Sequence, residues 1–319
     1  RNSFISYIYF TKCFIKVTST ILKKKTFSYN LISYSKSLLL LMKPRVMSLV
    51  IFTCAVGLLT APNNISLLDA MIGIFFVTIG AGAAGALNMW YEADLDKLMT
   101  RTCLRPIPTG KLTKNQALIF GTLSSFVSVV TLYFFSNFVA ASLLALTILF
   151  YVFVYTIWLK RKTSQNIVIG GAAGALPPVI GWAIATGDVA IEPIILFLII
   201  FIWTPSHFLA LGLYKSDDYR KAKIPMLPVT SGIDTTKKNI LIYSILLFPV
   251  ALAPFFLKFS GLIYLLFSLP LSTYYIFICF KLFKTKNSVI EKKIAKQIFG
   301  FSIFYLFIIF ISILVDKIV

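Results

Sequence analysis

Long apolar runs, separated by short polar connections, make up most of the chain. Each run is about 20 residues long, the length that a helix needs to cross the hydrocarbon core of a bilayer. The runs are continuously apolar and do not alternate, which argues against a membrane barrel. The pattern predicts an all-α polytopic membrane protein with nine transmembrane helices, over roughly residues 45–61, 67–89, 116–135, 138–158, 166–186, 193–213, 239–257, 261–282 and 297–315.

The connections between these runs alternate in charge. Those after the second, fourth, sixth and eighth runs are rich in Lys and Arg, whereas those after the other runs carry little charge: Asp188, Glu192 and Lys258. Under the positive-inside rule, this alternation predicts a cytoplasmic or matrix N-terminus and an external C-terminus. The predicted location is the inner membrane of a bacterial cell, with the mitochondrial inner membrane as the alternative.

Composition sets the N-terminal residues apart from the rest. The chain has 319 residues, is 58% hydrophobic and carries a net charge of +20. Residues 1–36 contain several Lys but no Asp or Glu, which predicts a basic extension: a cytoplasmic tail on anionic lipid or a mitochondrial transit segment. Residues 37–319 form the predicted nine-helix domain. The four cysteines include no CxxC pair, so we expect reduced thiols and no zinc or redox motif.

Five of the eleven acidic residues fall in two short clusters at the ends of apolar runs. In the first cluster, Asn88, Glu92 and Asp96 are four residues apart, so they line one face of a helix. The second cluster follows a run four spans later, on the same predicted side of the membrane, and two four-helix halves would bring the clusters face to face. Magnesium prefers a few carboxylates together with phosphate oxygens. The predicted metal ligands are Glu92, Asp96 and Asp218, within a predicted catalytic set of Asn88, Glu92, Asp96, Asp217 and Asp218.

Basic residues beside these clusters suit an anionic substrate such as a diphosphate. Guanidinium groups match phosphate oxygens in pairs, which makes Arg101 and Arg105, spaced four apart, the preferred phosphate contacts. Ordinary charge at the membrane interface is the alternative for several of these side chains. The predicted substrate-binding residues are Lys43, Arg45, Arg101, Arg105, Lys215, His207 and Tyr214.

His207 is the only histidine in the chain. On a continuous helix, Trp203, His207, Tyr214 and Asp218 would share one face, and His207 would lie ~16 Å deeper than Asp218. This depth suits contact with a second, apolar substrate, as a base, an orienting group or a metal contact. The alternative is a buried histidine that is hydrogen-bonded to a neighbour.

Several motifs, taken in order, resemble those of the UbiA-type intramembrane prenyltransferases. They are Lys43-Pro44-Arg45, the segment 88–96, Arg105-Pro106-Ile107-Pro108, Trp203 to Phe208, and Asp217-Asp218-Tyr219 with Pro225-Met226-Leu227-Pro228. The resemblance covers residues 40–315 and is strongest for the branch that prenylates protohaem IX. Two features depart from the superfamily pattern. Glu92 stands where Asp is usual, and the second cluster lacks an Asp-x-x-x-Asp spacing.

The resemblance implies a UbiA-like helical bundle with farnesyl diphosphate as donor, haem b as acceptor and Mg²⁺ as cofactor. The product would be haem O, which carries a hydroxyethylfarnesyl group and serves haem–copper oxidases. Other expected partners are the lipid bilayer and the next haem-modifying enzyme or oxidase assembly factors, with no nucleic acid.

Two rival functions stay open at this point. A related prenyltransferase with a quinone-precursor or chlorophyll-type acceptor would share the donor site and differ around His207. A transporter built from parallel repeats is the second rival. Transporters usually hold ionisable groups near the bilayer midplane, whereas these carboxylates are predicted at one membrane face, which counts against transport.

Overall fold

The computed structural model describes residues 31–62, 65–222 and 224–318, and within them it is helical and contains no strand. Residues 1–30 lie outside this part of the chain, so most of the predicted extension 1–36 is not described. The α-helices are α1 (Leu31–Leu41), α2 (Pro44–Thr60), α3 (Leu67–Tyr91), α4 (Ala93–Leu98), α5 (Lys114–Phe135), α6 (Phe138–Leu149), α7 (Asn166–Ala175), α8 (Pro177–Thr186), α9 (Ile191–Tyr214), α10 (Ser216–Lys221), α11 (Leu227–Thr230), α12 (Gly232–Phe256), α13 (Leu262–Lys284) and α14 (Ser288–Ile318). A π-helix, Phe150–Leu159, continues α6.

The predicted polytopic architecture is confirmed. In the described residues, eight helical segments are long and apolar enough to cross a membrane. A ninth span results if α2 is joined to α1, from which it is bent by 56°. The bend falls at Lys43, which has a left-handed backbone conformation with φ 54°. The count of nine therefore depends on treating α1 and α2 as one broken span.

Proline and glycine shape the fifth span and its packing. Pro177 and Pro178 interrupt the run between α7 and α8, since proline cannot continue the hydrogen-bond ladder of the preceding turn. Beyond this break, α8 crosses α2 with the backbones in direct contact. A Cβ added at Gly57 would overlap the Pro178 carbonyl, and one added at Gly181 would overlap the Cys54 carbonyl. Small residues at helix crossings permit such close approach in a membrane.

The buried core has two large parts. One packs side chains of α9, α12, α13 and α14 together, and the other is built on α2, α3, α6 and α8. A smaller apolar cluster joins the segment after α3 to the segment after α9. In it, Leu95 and Met99 pack with Tyr219 and Ala222. This cluster holds the two acidic segments side by side, as the sequence predicts.

The cysteines correct one expectation. Cys54 and Cys279 are buried free thiols, in agreement with a packing role. The prediction that all four cysteines are reduced is wrong, because Cys103 is disulfide-bonded.

Candidate active site

The first acidic segment lies where α3 passes into the short helix α4. Glu92 is the joint between the two helices. Its N–H donates to the Asn88 carbonyl at 2.9 Å, and the Asp96 N–H donates to the Glu92 carbonyl at 2.9 Å. Because this ladder runs through the joint, the predicted spacing survives. All three side chains, Asn88, Glu92 and Asp96, are buried.

A cation accompanies each of these three side chains. Lys43 Nζ donates to Asn88 Oδ1 at 2.5 Å. Arg105 Nη1 donates to both oxygens of Asp96, at 2.8 and 2.9 Å. Lys160 Nζ forms an ion pair with Glu92 Oε1. Three cations and two carboxylates thus meet at one end of the helical bundle, and of these the sequence analysis missed Lys160.

The π-helix brings Lys160 and its neighbours to this site. Lys160 N–H donates to the Tyr155 carbonyl five residues earlier at 3.0 Å. Thr156 Oγ1 accepts a hydrogen bond from Asn88 Nδ2 at 3.1 Å, and Tyr151 Oη lies 3.4 Å from Lys43 Nζ. Tyr151 and Lys160 are nine residues apart, which in an α-helix would turn them about 180° away from each other. The wider turn of a π-helix lets both reach the same cluster of charged side chains, and such segments are frequent at functional sites.

The second acidic segment adjoins the first. Asp218 is buried and accepts a hydrogen bond from Thr100 Oγ1 at 2.8 Å. Arg101 Nη2 donates to Tyr219 Oη at 3.3 Å, and the Arg101 guanidinium lies 5.3 Å from the centre of the Tyr219 ring. The loop after α4 therefore bridges the two clusters. Asp217 differs from its neighbour, since its side chain is 70% exposed and lies 3.9 Å from Arg220.

The predicted geometry of the helix that carries His207 needs correction. The continuous helix from Trp203 to Asp218 is wrong, because α9 ends at Tyr214 and a break at Lys215 precedes α10. The shared helix face and the depth difference predicted for His207 and Asp218 assumed an unbroken helix, so neither follows from the structure. Arg101 and Arg105 lie in turns and not on a helix, since no helix is present between Leu98 and Lys114.

Among the remaining predicted substrate contacts, Lys43 lies inside the cluster. Arg45 is exposed at the start of α2. Lys215 Nζ lies 5.8 Å from the ring centre of Tyr214, whose own ring packs edge-on against Phe299. These positions leave Arg45, Lys215 and Tyr214 as predictions for substrate contact.

His207 lies deeper in the bundle, between aromatic rings. It stacks on Trp203 and Phe299, with ring centres 4.3 and 4.5 Å away. Its Nδ1 is 2.6 Å from Ser302 Oγ, and Trp203 Nε1 donates to the Ser302 carbonyl at 2.8 Å. The histidine is thus buried and hydrogen-bonded by a neighbour, and its predicted contact with a substrate stays a prediction.

The local charges shift the ionisation of groups beside the spans. Burial raises the pKa of the Asp96 carboxyl, against the opposing effect of the Arg105 guanidinium. Burial also disfavours the charged form of Lys160, but Tyr155 and Glu92 outweigh it and raise the pKa of that ammonium. The pKa of Asp94, on the other side of α4, is lowered because hydrogen bonds from Arg161 outweigh its partial burial.

The acidic residues fit a metal ion that arrives with a diphosphate. Across residues 31–62, 65–222 and 224–318, no group of three or more His, Cys, Asp or Glu side chains forms a ready-made metal site. Mg²⁺ commonly takes one or two carboxylates together with substrate phosphate oxygens. Glu92 and Asp96 in the first acidic segment, and Asp218 in the second, provide such carboxylates. Lys43, Arg105 and Lys160, which lie beside these carboxylates, carry positive charge that would neutralise the phosphate oxygens.

Comparison with known proteins identifies the family of this chain. The model of the UbiA prenyltransferase family matches residues 49–309. A protein of Pelagibacter ubique named protoheme IX farnesyltransferase is 66% identical over 91% of this chain and 95% of its own length. A protein of the same name from Parvibaculum lavamentivorans is 53% identical over 87% of each chain.

Solved structures share the fold at low sequence identity. A structure of digeranylgeranylglyceryl phosphate synthase superimposes with a TM-score of 0.75 at 19% identity, over 89% of this chain and 99% of that one. A UbiA homologue from Archaeoglobus fulgidus, bound to DMAPP and Mg²⁺, gives a TM-score of 0.64 at 17% identity, over 85% and 99%. The predicted UbiA-like bundle is confirmed, and the chain belongs to the UbiA prenyltransferase family.

Proposed function

We propose that this protein transfers the farnesyl group of farnesyl diphosphate to a vinyl group of haem b and so produces haem O. The relatives named protoheme IX farnesyltransferase, up to 66% identical over most of the chain, support this assignment. The structural observation that carries it is the meeting of two acidic segments with Lys43, Lys160 and Arg105 at one end of a helical membrane bundle. That set suits a diphosphate, since carboxylates alone would repel it.

In the proposed donor site, Glu92, Asp96 and Asp218, with Asn88, would hold Mg²⁺, while Lys43 would contact the diphosphate oxygens. Mg²⁺ would supply Lewis-acid neutralisation of the leaving group's charge. Arg105 and Lys160 now pair with Asp96 and Glu92. Both cations lie beside the carboxylates, where they would also contact phosphate oxygens. Arg101 and Lys215, at the second cluster, are proposed to complete the phosphate contacts, whereas the exposed side chain of Asp217 is proposed to lie outside them.

The proposed reaction breaks the bond between C1 of the farnesyl group and the diphosphate oxygen, whose electrons leave with the diphosphate. Fixed cations stabilise that developing charge without having to reorganise, which is the main electrostatic contribution to such steps. The terminal vinyl carbon of haem b then bonds to C1. Water adds to the neighbouring vinyl carbon and releases a proton, which gives the hydroxyethylfarnesyl group. Haem is a substrate here and carries no electrons.

The acceptor is proposed to lie toward His207, with Tyr214 along the prenyl path. Trp203 and His207 are buried in an aromatic stack with Phe299, whose ring is partly exposed and is the member proposed to pack against the porphyrin. Ring faces near the reacting carbons would also stabilise an allylic cation. The next haem-modifying enzyme or an oxidase assembly factor is the proposed recipient of the product.

The protein is a multi-pass membrane protein, and we propose that its site faces the cytoplasm across a bacterial inner membrane. Single cysteines at Ser216 and Thr113, in a cysteine-free background, are expected to react with a membrane-impermeant thiol reagent only from the cytoplasmic side. A cysteine at Thr186 is expected to react only from the opposite side. Labelling of all three from both sides would contradict the proposed orientation.

A direct assay tests the proposed reaction. The purified chain in lipid nanodiscs is given farnesyl diphosphate, Mg²⁺ and haem b, and the haem is analysed by mass spectrometry. We expect a haem heavier by one farnesyl group and one hydroxyl group. Parallel samples contain 4-hydroxybenzoate or a chlorophyll precursor in place of haem. A prenylated product in those samples, with haem unchanged, would transfer the assignment to the rival acceptor class.

A further inference from the structure

A dense group of lysines surrounds the connection between α13 and α14, away from the acidic clusters. Six of them fall within 16 residues, and all six are exposed: Lys281, Lys284, Lys286, Lys292, Lys293 and Lys296. We call this group the hairpin lysine surface. It follows the eighth predicted span, on the same predicted side of the membrane as the candidate active site.

The carboxylates beside this surface are already engaged by another lysine. Lys237 is buried, and its Nζ lies 2.9 Å from Asp234 Oδ1 and 2.6 Å from Glu291 Oε1. It also donates to the Thr285 carbonyl at 2.9 Å, which fixes the hairpin against α12. Within the described residues, none of the six surface lysines lies within 4.0 Å of a carboxylate. Their charge therefore needs a counter-ion from outside the chain.

The length of α14 places these lysines at the level of the lipid headgroups. The helix has 31 residues, which corresponds to about 46 Å at the usual rise. The hydrocarbon core is ~30 Å thick, so roughly the first ten residues, with Lys292, Lys293 and Lys296, extend beyond it. Across the hairpin, Lys284 Nζ lies 5.5 Å from the ring centre of Phe280. Such a side chain keeps its stem on apolar surface and its charge at the interface.

We propose that the hairpin lysine surface binds the headgroups of anionic phospholipids. Clusters of four to eight basic residues beside a membrane span attract anionic lipid, by about five-fold in affinity for each residue near the membrane surface. The position of the lysines at headgroup level favours lipid over an acidic soluble protein. The proposal is independent of the acceptor that the enzyme uses.

Spin-labelled lipids test this proposal in phosphatidylcholine vesicles that contain the full chain. The measurement is the motionally restricted fraction of labelled phosphatidylglycerol relative to labelled phosphatidylcholine. We expect a preference for phosphatidylglycerol that weakens as NaCl is raised. Replacing Lys292, Lys293 and Lys296 together by Gln should lower the preference roughly two-fold or more, while replacement by Arg should retain it.

A second triple variant separates this surface from the general positive charge of the same membrane face. Lys111, Lys114 and Lys162 are also exposed on that face. Their joint replacement by Gln is expected to leave the preference near the wild-type value. The proposal is overturned if the two Gln variants lose equally, or if the wild-type chain does not distinguish the two lipids. In the latter case the counter-ion of these lysines is not a phospholipid, and an acidic protein becomes the alternative.

Discussion

Replacement of Asp96 by Asn isolates the negative charge of one proposed metal ligand. Asp96 is fully buried, and both of its carboxylate oxygens accept from Arg105 Nη1. Asn has nearly the same shape and keeps one oxygen for that donor. The substitution therefore removes charge from the donor site while it leaves the packing of α4 in place.

The Asp96→Asn substitution is expected to affect stability and catalysis to different extents. Exchanging a charge-assisted hydrogen bond for a neutral one costs about 1–2 kcal/mol, and this cost is partly offset because burial already disfavours the charged Asp96. Loss of one preorganised electrostatic group at a developing charge typically lowers the rate by about 10²–10³-fold. We therefore expect a small change in thermal stability and a large loss of kcat/KM for farnesyl diphosphate.

The assay measures kcat/KM for farnesyl diphosphate in nanodiscs, at saturating acceptor, over a series of Mg²⁺ concentrations. Asp94→Asn is the matched control, because Asp94 is two residues away but is half-exposed and paired with Arg161. Exposed ion pairs contribute about 0–1 kcal/mol, so this control should stay within roughly five-fold of the wild type.

A double-mutant cycle with Arg105→Gln separates a role at the metal from a role through Arg105. If Asp96 acts on both, Asp96→Asn should reduce activity further in the Arg105→Gln background and shift the Mg²⁺ dependence. The reasoning is refuted if Asp96→Asn keeps near-normal kcat/KM and an unchanged Mg²⁺ midpoint. Asp96 would then serve only as the ion-pair partner of Arg105.

Three further substitutions, two of them with a matched control, extend these expectations. Asp218→Asn should lower kcat about 10²-fold or more, whereas Asp217→Asn, at an exposed position, should have little effect; equal losses in a rate assay would contradict the difference in burial. Lys160→Met leaves a buried glutamate without its cation, so it should lower the free energy of unfolding by about 3–5 kcal/mol. It should also raise KM for farnesyl diphosphate, whereas Lys162→Met should change neither quantity. A chemical denaturation series measures the stability of both variants, and initial rates measure their KM. His207→Ala should raise KM for the acceptor more than KM for the donor, and the opposite split in steady-state kinetics would reverse the proposed roles.

The helical spans were predictable from the sequence because apolar length alone decides them. The residues at which the helices begin and end were harder to predict. α12 begins at Gly232 and α14 at Ser288, well before the apolar runs, because their polar first turns continue the helix outside the hydrocarbon layer. The π-helix Phe150–Leu159 was not predictable either, since its apolar residues carry no local signal for the wider turn. Contacts with other segments, such as Thr156 with Asn88, accompany that register.

Parts of the candidate site followed from spacing, and others did not. Asn88 and Asp96 kept their predicted relation because the hydrogen-bond ladder crosses the joint at Glu92. The relation of His207 to the second cluster failed, since neither Gly nor Pro marks the helix break at Lys215. Lys160 was also missed. In the sequence it stands beside Arg161 and Lys162 with nothing to distinguish it, and only the fold shows that it is buried against Glu92.

The most direct test of the central claim is mass spectrometry of haem extracted from cells that express this chain and lack any other farnesyltransferase for haem. We predict that the wild-type chain yields haem O, which is heavier than haem b by one farnesyl group and one hydroxyl group. The Asp96→Asn chain, expressed to the same membrane level, should yield haem b almost alone. The account is contradicted if wild-type cells contain only haem b while a prenylated quinone precursor accumulates.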